Sequence, residues 1–416
     1  MFFVRIYKIS LFCLILISPL CPFFTVGQAQ ANFWKEKQLL KAPEIFPAPQ
    51  FESEGVKAFF FEGLTWQGKP TRIFAYYGVP QNKILSGLPG IILVHGGHGT
   101  AYAEWVKLWT GRGFAALALD VCGSTPVSDS SKKYAGPHPR NEFSGPPGWG
   151  GFDQMNLPLH DQWTYQAVAD IILANSLLHS FKEIDHSKIG ITGISWGGIL
   201  TMIAAGVDHR FRFACPVYGS GFLSRIESSK EDFDKLDQKG ILKWNACWDP
   251  SVYINKITCP VLWIVGTNDA NAPLDEYKNT YLLQKSQRYL SIHLRMKHGH
   301  GGAGENPPEI LGFANQVLYD SIPLIRIVKT HRNNTLVTMS FEAHNRPEHI
   351  ELLYTTSSGP IFKRNWQSLQ LDGVKNNQVS TELPQGTTAY FFNVTDTRGF
   401  ISSTVHEEPG IPGQKM

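Results

Sequence analysis

The chain has 416 residues, 43% of them hydrophobic, and a formal net charge of +3. That is enough apolar sequence for a large core and one further module. The charge falls to +1 once Arg5 and Lys8 of an N-terminal leader are set aside, so the balance gives no case for nucleic acid or an anionic membrane surface as partner.

Residues 1–31 read as a secretory signal: Arg5 and Lys8 precede an apolar run over 9–26, and Ala29-Gln30-Ala31 forms a small-residue cleavage site. Pro19 and Pro22 interrupt the run, which argues against a spanning anchor. Cleavage implies a secreted or periplasmic protein with no stable membrane insertion. It leaves Cys122, Cys215, Cys247 and Cys259. Export permits a disulfide, for which Cys247 and Cys259 are the nearest pair in sequence, while Cys122 and Cys215 fit buried thiols on core strands.

Residues 32–56 form a lead-in containing Pro43, Pro47 and Pro49. Strands are predicted over 57–62 and 72–77, joined by a turn at Gly68-Lys69-Pro70. The apolar run 90–94 ends at His95-Gly96-Gly97; a helix over 102–112 and a buried strand over 114–120 follow. Apolar strands alternating with helices predict a mostly parallel α/β sheet covered on both faces. From Cys122 to His160 glycine, proline and polar residues dominate, which predicts an inserted loop, and a loop of that length is usually functional. Phe143, Trp149 and Phe152 would pack it. A helix over 162–179, strand 188–192, helix 199–205 and strand 210–217 come next. A helical excursion over 222–250, strands 260–266 and 289–296, and a helix over 303–319 complete the region 57–321.

Beyond residue 322 the pattern changes. Seven short alternating runs (325–329, 335–341, 350–354, 367–371, 378–382, 389–394 and 401–405) predict an all-β sandwich of immunoglobulin or fibronectin type III kind over 322–406. Residues 407–416 read as a disordered tail.

Gly193-Ile194-Ser195-Trp196-Gly197 has the pattern G-x-S-x-G between a predicted strand and helix. Glycines at both ends let the chain turn sharply and push the serine hydroxyl out above the sheet as a nucleophile. A serine nucleophile needs a base, an acid to orient the base, and donors for the oxyanion. Asp269 follows strand 260–266 and would reach the same rim. His298 and His300 both follow the last strand; His300 is preferred as the base because its glycine neighbours leave the ring accessible. Backbone N–H groups of Gly97 and Trp196 would hold the oxyanion, with His98 as fallback. A zinc site drawn from His95, His98, His298, His300 and Asp269 is the competing chemistry, but it has no need of the serine elbow.

With these residues in place, 57–319 resembles the α/β-hydrolase superfamily. The likeness is to its prolyl oligopeptidase-like, dienelactone hydrolase and acetylxylan esterase branch. The matching motifs are HGGHG (95–99), GISWGG (193–198), PVLWIVGTNDANAP (260–273) and HGHGG (298–302), and the order Ser, Asp, His is that of the superfamily. The resemblance implies the α/β-hydrolase fold and an exported serine hydrolase cleaving acyl esters, acetyl groups on polysaccharide among them, with no cofactor. Prolyl oligopeptidases proper carry a propeller ahead of the hydrolase, where this chain has only 32–56. Two alternatives stand beside the esterase: an exported peptidase of the same mechanism, and a silent binding protein on this fold. Trp149 and Trp244 are expected pocket walls. The C-terminal module would bind glycans or brace the hydrolase, and bracing is the simpler expectation.

Overall fold

The computed structural model describes residues 34, 37–81, 86–127, 134 and 136–409. The expected leader 1–31 and residues 410–416 of the expected tail lie outside them. Strands β1 (Ile45–Pro47), β2 (Val56–Glu62), β3 (Arg72–Gly78), β4 (Leu88–Val94), β5 (Ala115–Leu119), β6 (Ile184–Ile194), β7 (Ala214–Val217), β8 (Val261–Gly266) and β9 (Arg288–His293) form one sheet. Their order is β1-β2-β3-β5-β4-β6-β7-β8-β9. The pairs from β1 through β3 to β5 are antiparallel and all those from β5 to β9 parallel. β4, β5 and β8 are buried at every position, as continuous apolar runs in a doubly covered sheet must be. The three-residue β1 left no readable pattern in the sequence.

The covering helices are α1 (Ala103–Gly111), α2 (Trp163–Leu178), α3 (Trp196–Val207), α4 (Gln238–Trp248), α5 (Leu274–Leu282) and α6 (Pro308–Tyr319). Every residue of α2 is buried, and so are Leu200, Met202 and Ile203 of α3. Each fully buried Leu or Ile side chain of this kind stabilises by about 1.5–3 kcal/mol. The closing helix starts at Pro308, not at residue 303. Proline is suited to the first helical position, and the glycines before it favour turns.

Among its described residues the inserted loop carries 3-10 turns at Phe152–Gln154 and Leu159–Asp161 and an antiparallel bridge between Ser124 and Arg140. It is nonetheless packed. Trp244 donates from Nε1 to Gly150 O at 2.7 Å and stacks on Phe152 with centroids 5.1 Å apart. Trp244 is fully buried, so it props the loop from behind and does not form the expected wall.

All four described cysteines are buried free thiols. Cys247 lies on α4 and Cys259 just ahead of β8, and the two are not bonded to each other despite their closeness in sequence. Burial pushes the Cys259 thiol up to about 12.

The C-terminal strands β10 (Arg326–Asn333), β11 (Leu336–Glu342), β12 (Pro347–Thr355), β13 (Gln367–Gln370), β14 (Gln378–Glu382), β15 (Ala389–Asp396) and β16 (Ile401–Ser403) pair antiparallel. They form two sheets, β10-β11-β14 and β13-β12-β15-β16. Val337, Met339, Ile350, Leu352, Phe392 and Val394 from both sheets share one core, which makes a sandwich. Glu407 falls in the expected tail, yet its N–H and C=O pair with Tyr390 at 2.8 and 2.9 Å.

This sandwich covers the open edge of the large sheet. On β9, Ile292 N–H donates to Ser403 Oγ at 2.7 Å and Ile292 O accepts from Asn393 Nδ2 at 3.0 Å. Side chains thereby satisfy backbone groups that a bare edge strand would leave open to another chain.

Candidate active site

Ser195 occupies the turn between β6 and α3 with φ 55° and ψ −121°. A residue with a side chain pays about 1–3 kcal/mol to sit in such a region. The surroundings enforce it: a Cβ on Gly197 would lie 2.0 Å from Val94 O, and one on Gly193 2.3 Å from Gly197 O. Both obstacles are backbone, so neither can step aside. Gly197→Ala is therefore expected to destabilise the fold by about 3 kcal/mol, read as a lower urea midpoint at unchanged m-value.

The loop after β8 carries Asp269, whose side chain is 1% exposed. Its Oδ1 accepts from Asn271 N at 2.9 Å and Ala272 N at 3.1 Å. Its Oδ2 accepts from His298 Nδ1 at 2.7 Å. That bond places the His298 proton on Nδ1 and leaves Nε2 free as an acceptor. The Tyr218 ring stacks on His298 with centroids 4.2 Å apart, and its hydroxyl donates to Gly299 O at 3.1 Å. Burial pushes the Tyr218 phenol well up, so it remains a neutral donor.

Ser195 and His298 line the same cavity of about 680 Å³, together with Gly97, Trp196 and Trp149. Trp196 is the first residue of α3, so its N–H has no partner within the helix and points from the positive end of the helix dipole. His98 also lines this cavity, with a left-handed backbone at φ 62°.

The structure differs from the sequence expectation on the second histidine. His300 makes no pair with Asp269. Its Nδ1 lies 2.9 Å from Glu305 Oε1, and its Nε2 accepts from Gly96 N at 3.0 Å. The His300 side chain is 9% exposed against 23% for His298. The accessibility argued from flanking glycines counted only neighbours in sequence. Across space the ring meets Tyr102, with centroids 4.6 Å apart, and the Gly96 backbone.

The groups weighed for zinc do not converge. Asp269 holds His298, while His95 Nε2 accepts from Val121 N at 3.0 Å. Among the described residues His95, Asp120 and Cys122 do gather closely enough to hold an ion. There too the His95 lone pair is taken by Val121, and Asp120 Oδ2 accepts from Ser124 N at 2.7 Å.

Sequence reasoning missed Tyr218 and Glu305. Tyr218 lies one residue beyond a predicted strand, at the same sheet end as Ser195. Glu305 is the one carboxylate in the glycine-rich stretch from His298 to Pro307, and that isolation is the local signal for it.

The sandwich also reaches the loops that present this pair. Asn268 Nδ2 donates to Phe362 O at 2.9 Å and Arg364 O at 3.1 Å. Arg295, three residues before His298, donates from Nη2 to Trp366 O at 2.9 Å. One segment of the module thus fixes a neighbour of the carboxylate and a neighbour of the imidazole.

Two family models match the chain: acetyl xylan esterase (AXE1) over residues 29–231 and the prolyl oligopeptidase family over residues 153–314. Among solved structures, an acetyl xylan esterase from Paenibacillus sp. R4 is 22% identical, with a TM-score of 0.53, over 71% of this chain and 93% of that one. Acetyl xylan esterase 1 from Thermoanaerobacterium sp. JW/SL YS485 is 17% identical, also at 0.53, over 72% of this chain and 93% of that one. At these identities the likeness speaks for a shared fold.

Proposed function

We propose that this chain, which has the α/β-hydrolase fold, is a serine ester hydrolase that removes acetyl groups from carbohydrate esters outside the cytoplasm. The observation carrying the mechanism is the 2.7 Å bond between Asp269 and His298 beside the cavity that Ser195 lines.

Ser195 Oγ attacks the ester carbonyl and His298 Nε2 takes its proton. Asp269 holds the Nδ1–H tautomer beforehand and stabilises the imidazolium afterwards. The N–H groups of Gly97 and Trp196 receive the oxyanion; one such donor contributes about 2.7–4 kcal/mol in the transition state. His298 then returns the proton to the leaving alcohol. Water enters, gives one proton to the same nitrogen and bonds through its oxygen to the acyl carbon; the Ser195 Oγ–acyl bond then breaks, His298 returns the proton to Oγ, and the acid leaves as acetate. No cofactor takes part in these steps.

The carbohydrate reading draws on the cavity walls. Asp153, Asp232, Lys235 and Ser229 surround it with groups that hydrogen-bond hydroxyls, and the Trp149 ring offers an apolar face. Such a mixture of polar groups and an aromatic platform suits a sugar ring better than an alkyl chain. Export rests on the signal pattern of residues 1–31, and among the described residues no helix is long and apolar enough to cross a membrane.

The test is acetate release from acetylated xylo-oligosaccharides, run beside peptide anilides and long-chain esters. Acetate release with kcat/KM above those for the other two supports the reading. Turnover confined to the anilides would replace it with a peptidase.

A further inference from the structure

Two buried histidines grip one glycine beside the nucleophile. Gly96 N–H donates to His300 Nε2 at 3.0 Å. The Gly96 carbonyl accepts from His95 Nδ1 at 2.8 Å and from Gly99 N at 3.2 Å. Both tautomers follow from obligate donors. A backbone N–H can only donate, so Gly96 fixes His300 with its proton on Nδ1, directed at Glu305 Oε1 2.9 Å away. Val121 N–H, 3.0 Å from His95 Nε2, fixes His95 likewise with its proton on Nδ1. Only glycine fits at position 99, where a Cβ would stand 2.9 Å from both imidazoles.

The Gly96 carbonyl belongs to the same peptide group as the Gly97 N–H. Hydrogen bonds to a peptide oxygen fix the peptide plane and make its N–H a stronger donor. We propose that His300, anchored by Glu305, acts with His95 as a positioning clamp that aims the Gly97 N–H at the substrate oxyanion. The proposal rests on the serine hydrolase reading above. It gives the second histidine of His298-Gly299-His300 a role in the transition state that involves no proton transfer. Burial holds the His300 imidazole below its ordinary value, in keeping with the neutral ring that the clamp requires.

The clamp acts through an oxyanion donor, so its loss should appear in kcat and leave KM nearly unchanged. The experiment is steady-state hydrolysis of 4-nitrophenyl acetate, with kcat expressed per serine titrated to completion by a fluorophosphonate. The proteins are wild type, His300→Ala, His300→Gln and Glu305→Ala. His300→Ala should lower kcat per titrated site on the order of ten- to hundredfold, with KM within about twofold of wild type. Glutamine can accept from Gly96 N–H but cannot serve as a general base, so His300→Gln should recover most of the loss.

Should His300→Ala not fold, Glu305→Ala is read instead, since it keeps the ring and releases its anchor; its kcat should fall less, again at constant KM. Wild-type kcat per site in His300→Ala, or in Glu305→Ala when that stands in, would overturn the clamp. So would His300→Gln as impaired as His300→Ala. A folded wild type that takes up no phosphonate would instead overturn the serine hydrolase reading itself.

Discussion

Exchanging His298 for alanine is expected to lower kcat on an acetyl ester about a millionfold, the scale seen when a triad base is removed. The expectation follows from proton bookkeeping. His298 Nδ1 is engaged with Asp269 at 2.7 Å, so its Nε2 is free to take the Ser195 proton in the cavity they share. The buried imidazoles of His300 and His95 cannot substitute. The Nε2 of His300 already accepts from Gly96 and that of His95 from Val121. Fold stability should fall by about 1–3 kcal/mol, because the buried Asp269 keeps the N–H groups of Asn271 and Ala272 on Oδ1 but loses its partner on Oδ2. The check is kcat alongside a thermal melt: a very large loss of rate in a protein that still folds, at a modestly lowered melting temperature.

Asp269→Asn should cost about ten-thousandfold in kcat, and the reason is the tautomer. In wild type Oδ1 is occupied by the N–H groups of Asn271 and Ala272, and Oδ2 faces His298. An asparagine must keep its oxygen on those two backbone donors, since turning its NH2 toward them would leave three donors without an acceptor. Its NH2 then faces His298 Nδ1, which becomes the acceptor, and the ring proton moves to Nε2. Such an imidazole presents a proton to Ser195 where a lone pair is needed. Asp269→Ala should lose a similar amount by leaving the ring unoriented. If Asp269→Asn retained wild-type kcat, the carboxylate would be a turn residue and no part of the relay.

Much of this architecture is legible in the sequence because burial writes itself into composition. β4, β5 and β8 are unbroken apolar runs buried on both faces. β11 alternates with a period of two because one face of its sheet meets the shared core, whereas β15 is buried on both faces, between that core and the large sheet. The elbow is legible for a steric reason: at Gly193 and Gly197 any side chain would strike backbone. Asp269 is legible from its place after a strand that ends at the rim.

What escapes is whatever depends on side chains meeting across space. His298 and His300 differ by two residues and have similar neighbours in sequence, yet one faces the cavity and the other lies under Gly96. Their separation is decided by Tyr218 and Tyr102, from two distant segments, and by Glu305, five residues beyond His300. Trp244 is a similar case. Its apolar bulk suggested a pocket wall, but its indole N–H found Gly150 O inside the inserted loop, and a buried indole donor needs such a partner. The edge strand β9 required its Ser403 and Asn393 caps from more than a hundred residues away, and no local pattern announces them.

The central claim is that Ser195 is activated by His298. It is tested most directly by fluorophosphonate labelling, with the adduct mapped by mass spectrometry in wild type, His298→Ala and His300→Gln. The account predicts rapid adduct formation on Ser195 in wild type, slower but complete reaction in His300→Gln, and none above the solvent rate in His298→Ala. Labelling that survives in His298→Ala but vanishes in His300→Gln would contradict it and make His300 the base.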